Sequence, residues 1–66
     1  MLFSVLMSVY YKENEIFLNQ SLESVWSNQF LKPNEIVLVL DGPIGADLSR
    51  CIYKWQKIIG TKLKVI

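Results

Sequence analysis

The sequence predicts an α/β fold, a Rossmann-like βαβαβ unit with a three-stranded parallel sheet and two crossover helices. Three observations predict it. Ile36-Val37-Leu38-Val39-Leu40 is an unbroken apolar run that ends in Asp41 and a Gly42-Pro43 turn, the signature of a buried parallel strand. Two stretches of helical period, Leu18/Leu22/Val25/Trp26 and Leu48/Ile52/Trp55/Ile59, flank that run. Strand and helix patterns therefore alternate along the chain, which implies right-handed crossovers and parallel pairing.

Taken in order, Phe3 to Tyr10 is rich in β-branched and aromatic residues and reads as the first strand. Its apolar residues fall on both faces, so the strand is expected to be covered on both sides. Tyr11-Lys12-Glu13-Asn14 is a polar connection, with Asn14 as N-cap and Glu15 in an acidic first turn. The first helix is expected from Glu15 to about Phe30, with Asn19, Glu23 and Ser27 solvated. Pro33 disfavours helix at Lys32, so the helix ends by there. Glu35 to Asp41 is the second strand.

The second helix is expected from Ala46 to Ile59, with Asp47 a candidate N-cap. Gly60 is placed to end it in a left-handed conformation. Lys62 to Ile66 alternates lysine with apolar residues at first, as in an edge strand protected by lysine. Phe17, Trp26, Phe30 and Trp55 are expected in the core, and Lys54, Lys57, Lys62 and Lys64 on a solvated face. Two helices cover a parallel sheet thinly, so residues 1–66 read as the opening portion of a larger α/β domain.

Composition narrows the function. The chain has 66 residues, a formal net charge of +1, one cysteine and no histidine. A domain of this size buries only about 60% of its unfolded surface, so its stability is marginal. The usual Cys/His zinc site is excluded. No basic stripe marks a nucleic-acid binder. Met1 to Val9 is apolar but lacks the positive start and small-residue cleavage site of a signal peptide. The run is also far short of the roughly 20 residues that span a membrane. Cys51 fits a reducing cytoplasm, and with no histidine to activate it the thiol reads as structural. The expected location is the cytoplasm or the inner face of its membrane.

Asp41 carries the functional question. Ligands of open α/β sheets bind beyond the carboxyl ends of the strands, where Asp41 lies. An acceptor-only carboxylate there suits a nucleobase imide N–H or a ribose hydroxyl, and Gly42 permits close backbone approach. Asp-Gly is equally a common turn pair, in which the carboxylate only shapes the turn. Tyr10, Tyr11 and Glu13 lie at the same sheet end, either flanking a base or closing the sheet.

The ordered combination Phe3-Ser4-Val5-Leu6-Met7-Ser8-Val9-Tyr10-Tyr11-Lys12-Glu13, Leu22-Glu23-Ser24-Val25 and Glu35-Ile36-Val37-Leu38-Val39-Leu40-Asp41-Gly42-Pro43 resembles the N-terminus of family 2 glycosyltransferases. These have the GT-A fold. The likeness is strongest to bacterial members of capsule and exopolysaccharide synthesis, of the amylovoran-biosynthesis type. It implies a nucleotide-binding site at Val9, Tyr10, Glu13, Asp41 and Gly42. Ser8 and Tyr11 stand where the family commonly has proline and asparagine. Leu40 and Pro43 stand where it has a first aspartate and a serine.

The resemblance further implies an inverting enzyme that transfers a hexosyl group from a nucleotide-diphospho-sugar, a UDP-sugar first of all, to a polysaccharide or lipid-linked acceptor. The family's Asp-any-Asp motif, which holds Mg²⁺ or Mn²⁺ on the diphosphate, is absent here. The 66 residues are thus expected to carry part of the donor site, with no catalytic residue or metal ligand, and to be inactive alone. Two other readings stay open. One is a small non-catalytic α/β nucleotide-binding module that self-associates through an exposed sheet edge. The other is a receiver-like domain with Asp41 as phosphoacceptor.

Overall fold

A computed structural model describes residues 3–66. Met1 and Leu2, part of the apolar start weighed above against a signal peptide, lie outside the described residues. The chain runs β1 (Ser4–Tyr10), α1 (Glu15–Leu22), a π-helical turn (Glu23–Ser27), β2 (Glu35–Asp41), α2 (Ala46–Ile59), a 3-10 turn (Gly60–Lys62) and β3 (Leu63–Val65). The strands pair in parallel in the order β1-β2-β3. The expected α/β fold is what forms.

The cover of the sheet differs from expectation. Both crossovers step across the sheet in the same direction, so right-handed connections place both helices on one face. Val9, Ile36, Leu38 and Leu63 pack there with Leu18, Leu22, Leu48, Ile52, Trp55 and Ile59 in a single core. Alternate residues face the other way, and that face is bare: Leu6 is 72% exposed. A pleated strand covered on both sides needs a second helical layer, which these residues do not supply.

Asn14 caps α1 as expected, its side-chain oxygen accepting from the Ile16 N–H at 2.7 Å. The helix ends at Ser27, short of Phe30. Its last turn widens so that the Asn28 N–H reaches the Glu23 carbonyl at 2.9 Å, and the Lys32 ammonium then donates to the Trp26 and Gln29 carbonyls. Because the helix stops early, Phe30 falls in the following loop at 99% exposure and is not a core residue. Phe17 is also exposed, on the α1 flank that nothing covers. Trp55 is buried as expected, and Trp26 only partly.

All four stripe residues of α2 are buried. Its N-cap is Gly45 and not Asp47, which sits inside the first turn and pairs with Arg50. Gly60 ends the helix with φ +79° and ψ −145°, a region outside the left-handed helical one and open essentially to glycine alone. At the sheet edge, Lys64 pairs with Glu35 at 3.1 Å on the bare face. No helix among the described residues is long and apolar enough to cross a membrane.

Candidate functional site

The parallel register aligns the ends of β1 and β2. Pairing runs from Ser4 opposite Glu35 to Tyr10 opposite Asp41, so both strands finish level. Strand alternation then sends Val9 and Leu40 toward the helices, and Tyr10 and Asp41 onto the bare face. Two side chains of different chemistry, a phenol and a carboxylate, thus stand side by side at the carboxyl edge of the sheet. Both are exposed.

The next residues close around this edge. The Glu13 N–H donates to the Tyr10 carbonyl at 2.8 Å, a tight turn that returns Glu13 to the strand end. Glu13 is half-buried there. Gly42 leaves β2 with φ +89°, and no atom lies within 4 Å of where a Cβ would sit. The turn therefore owes its glycine to backbone conformation and leaves open space beside Asp41.

Of the five residues grouped above, the structure brings Tyr10, Glu13, Asp41 and Gly42 to one open edge. Val9 is different. Its side chain is 1% exposed inside the core, where it underpins the strand end and faces no solvent. The edge is shallow and carries two carboxylates that can accept hydrogen bonds, with the Tyr10 ring as a flat apolar surface beside them. Among the described residues no three His, Cys, Asp or Glu side chains converge on a cation site.

Two grooves lie elsewhere. One, of about 420 Å³, runs between the first halves of α1 and α2 and is lined by Glu15, Asn19, Asp47, Arg50, Cys51 and Lys54. At its floor the Asn19 side-chain oxygen accepts from both Lys54 and the Trp55 indole, at 2.9 and 2.8 Å. Asn19 is therefore not the solvated residue that helical spacing suggested. Its partners lie on another helix, a relation no local pattern carries. The second groove lies between β1 and the helical segment that follows it, lined by Met7 on the strand and by Phe17, Gln20, Ser21, Ser24 and Val25.

Comparison with known proteins bears out the resemblance to glycosyltransferases. The chain is 33% identical over 60 residues to the UDP-Gal:alpha-D-GlcNAc-diphosphoundecaprenol beta-1,3-galactosyltransferase of Escherichia coli, covering 91% of this chain and 22% of that protein. It is 43% identical over 58 residues to the amylovoran biosynthesis glycosyltransferase AmsE of Erwinia amylovora, covering 88% and 21%. An uncharacterized glycosyltransferase of Haemophilus influenzae is 43% identical over 63 residues, covering 96% and 23%. The chain thus spans about a fifth of the length of these relatives. No family model matches it, and no solved structure matches it significantly.

Proposed function

We infer that this chain is the opening, donor-binding part of a glycosyltransferase of the GT-A type, and that its open strand edge receives the nucleotide of a nucleotide-sugar. The observation that carries the reading is the level pairing of Tyr10 with Asp41, beside the open turn at Gly42. Asp41 accepts from a base imide or ribose hydroxyl, Tyr10 offers its ring to the base, and Glu13 accepts from a second hydroxyl. Val9 holds the strand end in place from below. With Leu40 turned into the core, Asp41 works without a neighbouring acid.

The Escherichia coli relative is named for a UDP-sugar donor and a lipid-linked acceptor. By that likeness we propose a UDP-sugar as donor and a lipid-linked or polysaccharide acceptor for this protein, with inversion at the transferred sugar. We also propose that the work is done at the cytoplasmic face of a membrane. A divalent cation, Mg²⁺ or Mn²⁺, would neutralise the leaving diphosphate. Among the described residues no three carboxylate, cysteine or histidine side chains gather to hold it, and we propose that this part of the protein binds the donor and does not itself transfer.

The receiver-like alternative fits less well. A phosphoacceptor aspartate needs carboxylates at the end of β1 to hold Mg²⁺, and the register places Tyr10 beside Asp41 instead. The test is calorimetric titration of UDP into the chain and into Asp41→Ala. The expected result is binding that weakens at least about tenfold in the variant, the loss of one charge-assisted hydrogen bond. No binding by the parent chain, or equal binding by both, would remove the donor-site reading.

A further inference from the structure

Phe30 and Leu31 project side by side from the loop between α1 and β2, 99% and 65% exposed. The loop holds them there. Before them, the Gln29 side-chain nitrogen donates to the Ser24 carbonyl at 2.9 Å. After them, Lys32 closes on the Trp26 and Gln29 carbonyls, and Pro33 is buried. An anchored loop that keeps two large apolar side chains in water marks a contact surface. We propose that this tip, together with Lys57, Ile58 and Lys62, docks on an anionic membrane surface.

The topology brings these residues to one end of the molecule. Loops that lead into parallel strands lie at the amino end of the sheet. The Phe30–Leu31 loop leads into β2, and the end of α2 with its 3-10 turn leads into β3. Ile58 is 51% exposed there. Lys57 and Lys62 are exposed and, among the described residues, pair with no carboxylate. The Lys57 ammonium lies 4.6 Å from the Tyr53 ring centroid.

The formal net charge of +1 hides a division of charge along the strands. Toward the amino end, Lys32, Lys54, Lys57, Lys62 and Lys64 outnumber Glu23 and Glu35. Toward the carboxyl end, Glu13, Glu15, Asp41 and Asp47 outnumber Lys12 and Arg50. The apolar tip thus sits at the cationic end, where an anionic surface is attracted.

A lipid surface satisfies both chemistries at once. Phe30, Leu31 and Ile58 enter the boundary between headgroups and acyl chains, while the lysine ammoniums stay hydrated beside the phosphates. A protein covering the tip would take those ammoniums out of water. Nucleic acid has the phosphates but no apolar layer to receive Leu31 and Ile58. Further strands or helices of a larger α/β domain add along the sheet edges or on the bare face, and the tip lies on neither. β1 and β2 have seven residues each, so the Tyr10–Asp41 edge is about 20 Å away and stays clear of the lipid. The proposal gives a contact surface to the membrane location inferred above. Its failure leaves the donor site untouched, because the test uses no nucleotide.

The experiment is flotation of the 66-residue chain with phosphatidylcholine vesicles, with and without phosphatidylglycerol, with circular dichroism on the same samples. Binding should be at least about tenfold tighter to the anionic vesicles and should weaken as salt is raised. Phe30→Ser and Lys62→Glu should each weaken it at least about fivefold with unchanged circular dichroism. Lys12→Glu makes the same charge change at the opposite end and should weaken it less than about twofold. Equal binding to both vesicles, no effect of Phe30→Ser, or equal losses from Lys12→Glu and Lys62→Glu would overturn the proposal. So would a chain that is unfolded on the vesicle, or self-association without lipid that Phe30→Ser abolishes.

Discussion

The Trp55 indole N–H donates to the Asn19 side-chain oxygen at 2.8 Å and so ties α2 to α1 through one polar contact. Trp55 is 2% exposed and central to the core, so its N–H has little access to water. Asn19→Ala removes the acceptor for this donor and for Lys54 together. The unmet indole N–H costs about 1–3 kcal/mol, offset in part by the better helix propensity of alanine. Urea unfolding followed by tryptophan fluorescence should show a net loss of about 1–2 kcal/mol, and Asn19→Asp, which keeps the acceptor, should lose less.

Cys51 lies against the same helix pair, its Sγ 3.8 Å from the Glu15 carbonyl. Burial pushes its thiol up from an ordinary 9.0; Lys54 opposes this and Glu15 adds to it. Since the thiolate is the nucleophile, iodoacetamide should modify the folded chain at pH 8 at least about tenfold more slowly than the urea-unfolded chain. The midpoint of rate against pH should lie above 9.0. A plateau below pH 8 would mark an activated cysteine and contradict the structural role.

What could be read from the sequence follows the range of the forces involved. The apolar stripe of α2 and the Asn14 cap depend on neighbours a few residues away, and both form as their spacing predicts. The pairing of Asn19 with Trp55 joins residues on two helices, and periodicity alone assigned Asn19 to solvent. The bare sheet face is a matter of topology. An apolar strand looks the same whether its second face is covered by this chain or left open. Leu6 illustrates the limit, apolar in sequence and 72% exposed in the fold. At the candidate site, Tyr10, Glu13, Asp41 and Gly42 were legible because strand ends and turns are local features. The inward direction of Val9 depends on which face the helices occupy, and only the fold decides that.

Gly60 sets a third expectation. Its φ of +79° with ψ of −145° is strained for any other residue, yet no atom lies within 4 Å of where a Cβ would sit. Gly60→Ala therefore isolates backbone strain from steric clash. A loss of about 1–3 kcal/mol in urea unfolding is expected. An unchanged midpoint would mean that the turn relaxes to an ordinary helical ending.

Glu35 contributes to the acid side of stability. A hydrogen bond from Lys64, another from the Ser4 hydroxyl and the Lys64 charge together hold its carboxyl below the ordinary 4.5. A group whose folded pKa is depressed binds its proton more weakly in the native state than in the unfolded one. Its contribution is therefore fully present above 4.5 and is lost as pH falls below that value through the folded pKa. Glu35→Gln removes the titration but keeps a partner for Ser4. The variant should be less stable than the parent at pH 7, with the difference shrinking as pH falls below 4.5, because protonation abolishes the same ion pair in the parent. Lys64→Met should behave alike, since it removes the other half of the pair. Thermal unfolding of the three chains from pH 7 to 3 measures this directly. A parent-minus-variant difference that stays constant across that range would show that Glu35 and Lys64 are too well solvated for their pairing to matter to the fold.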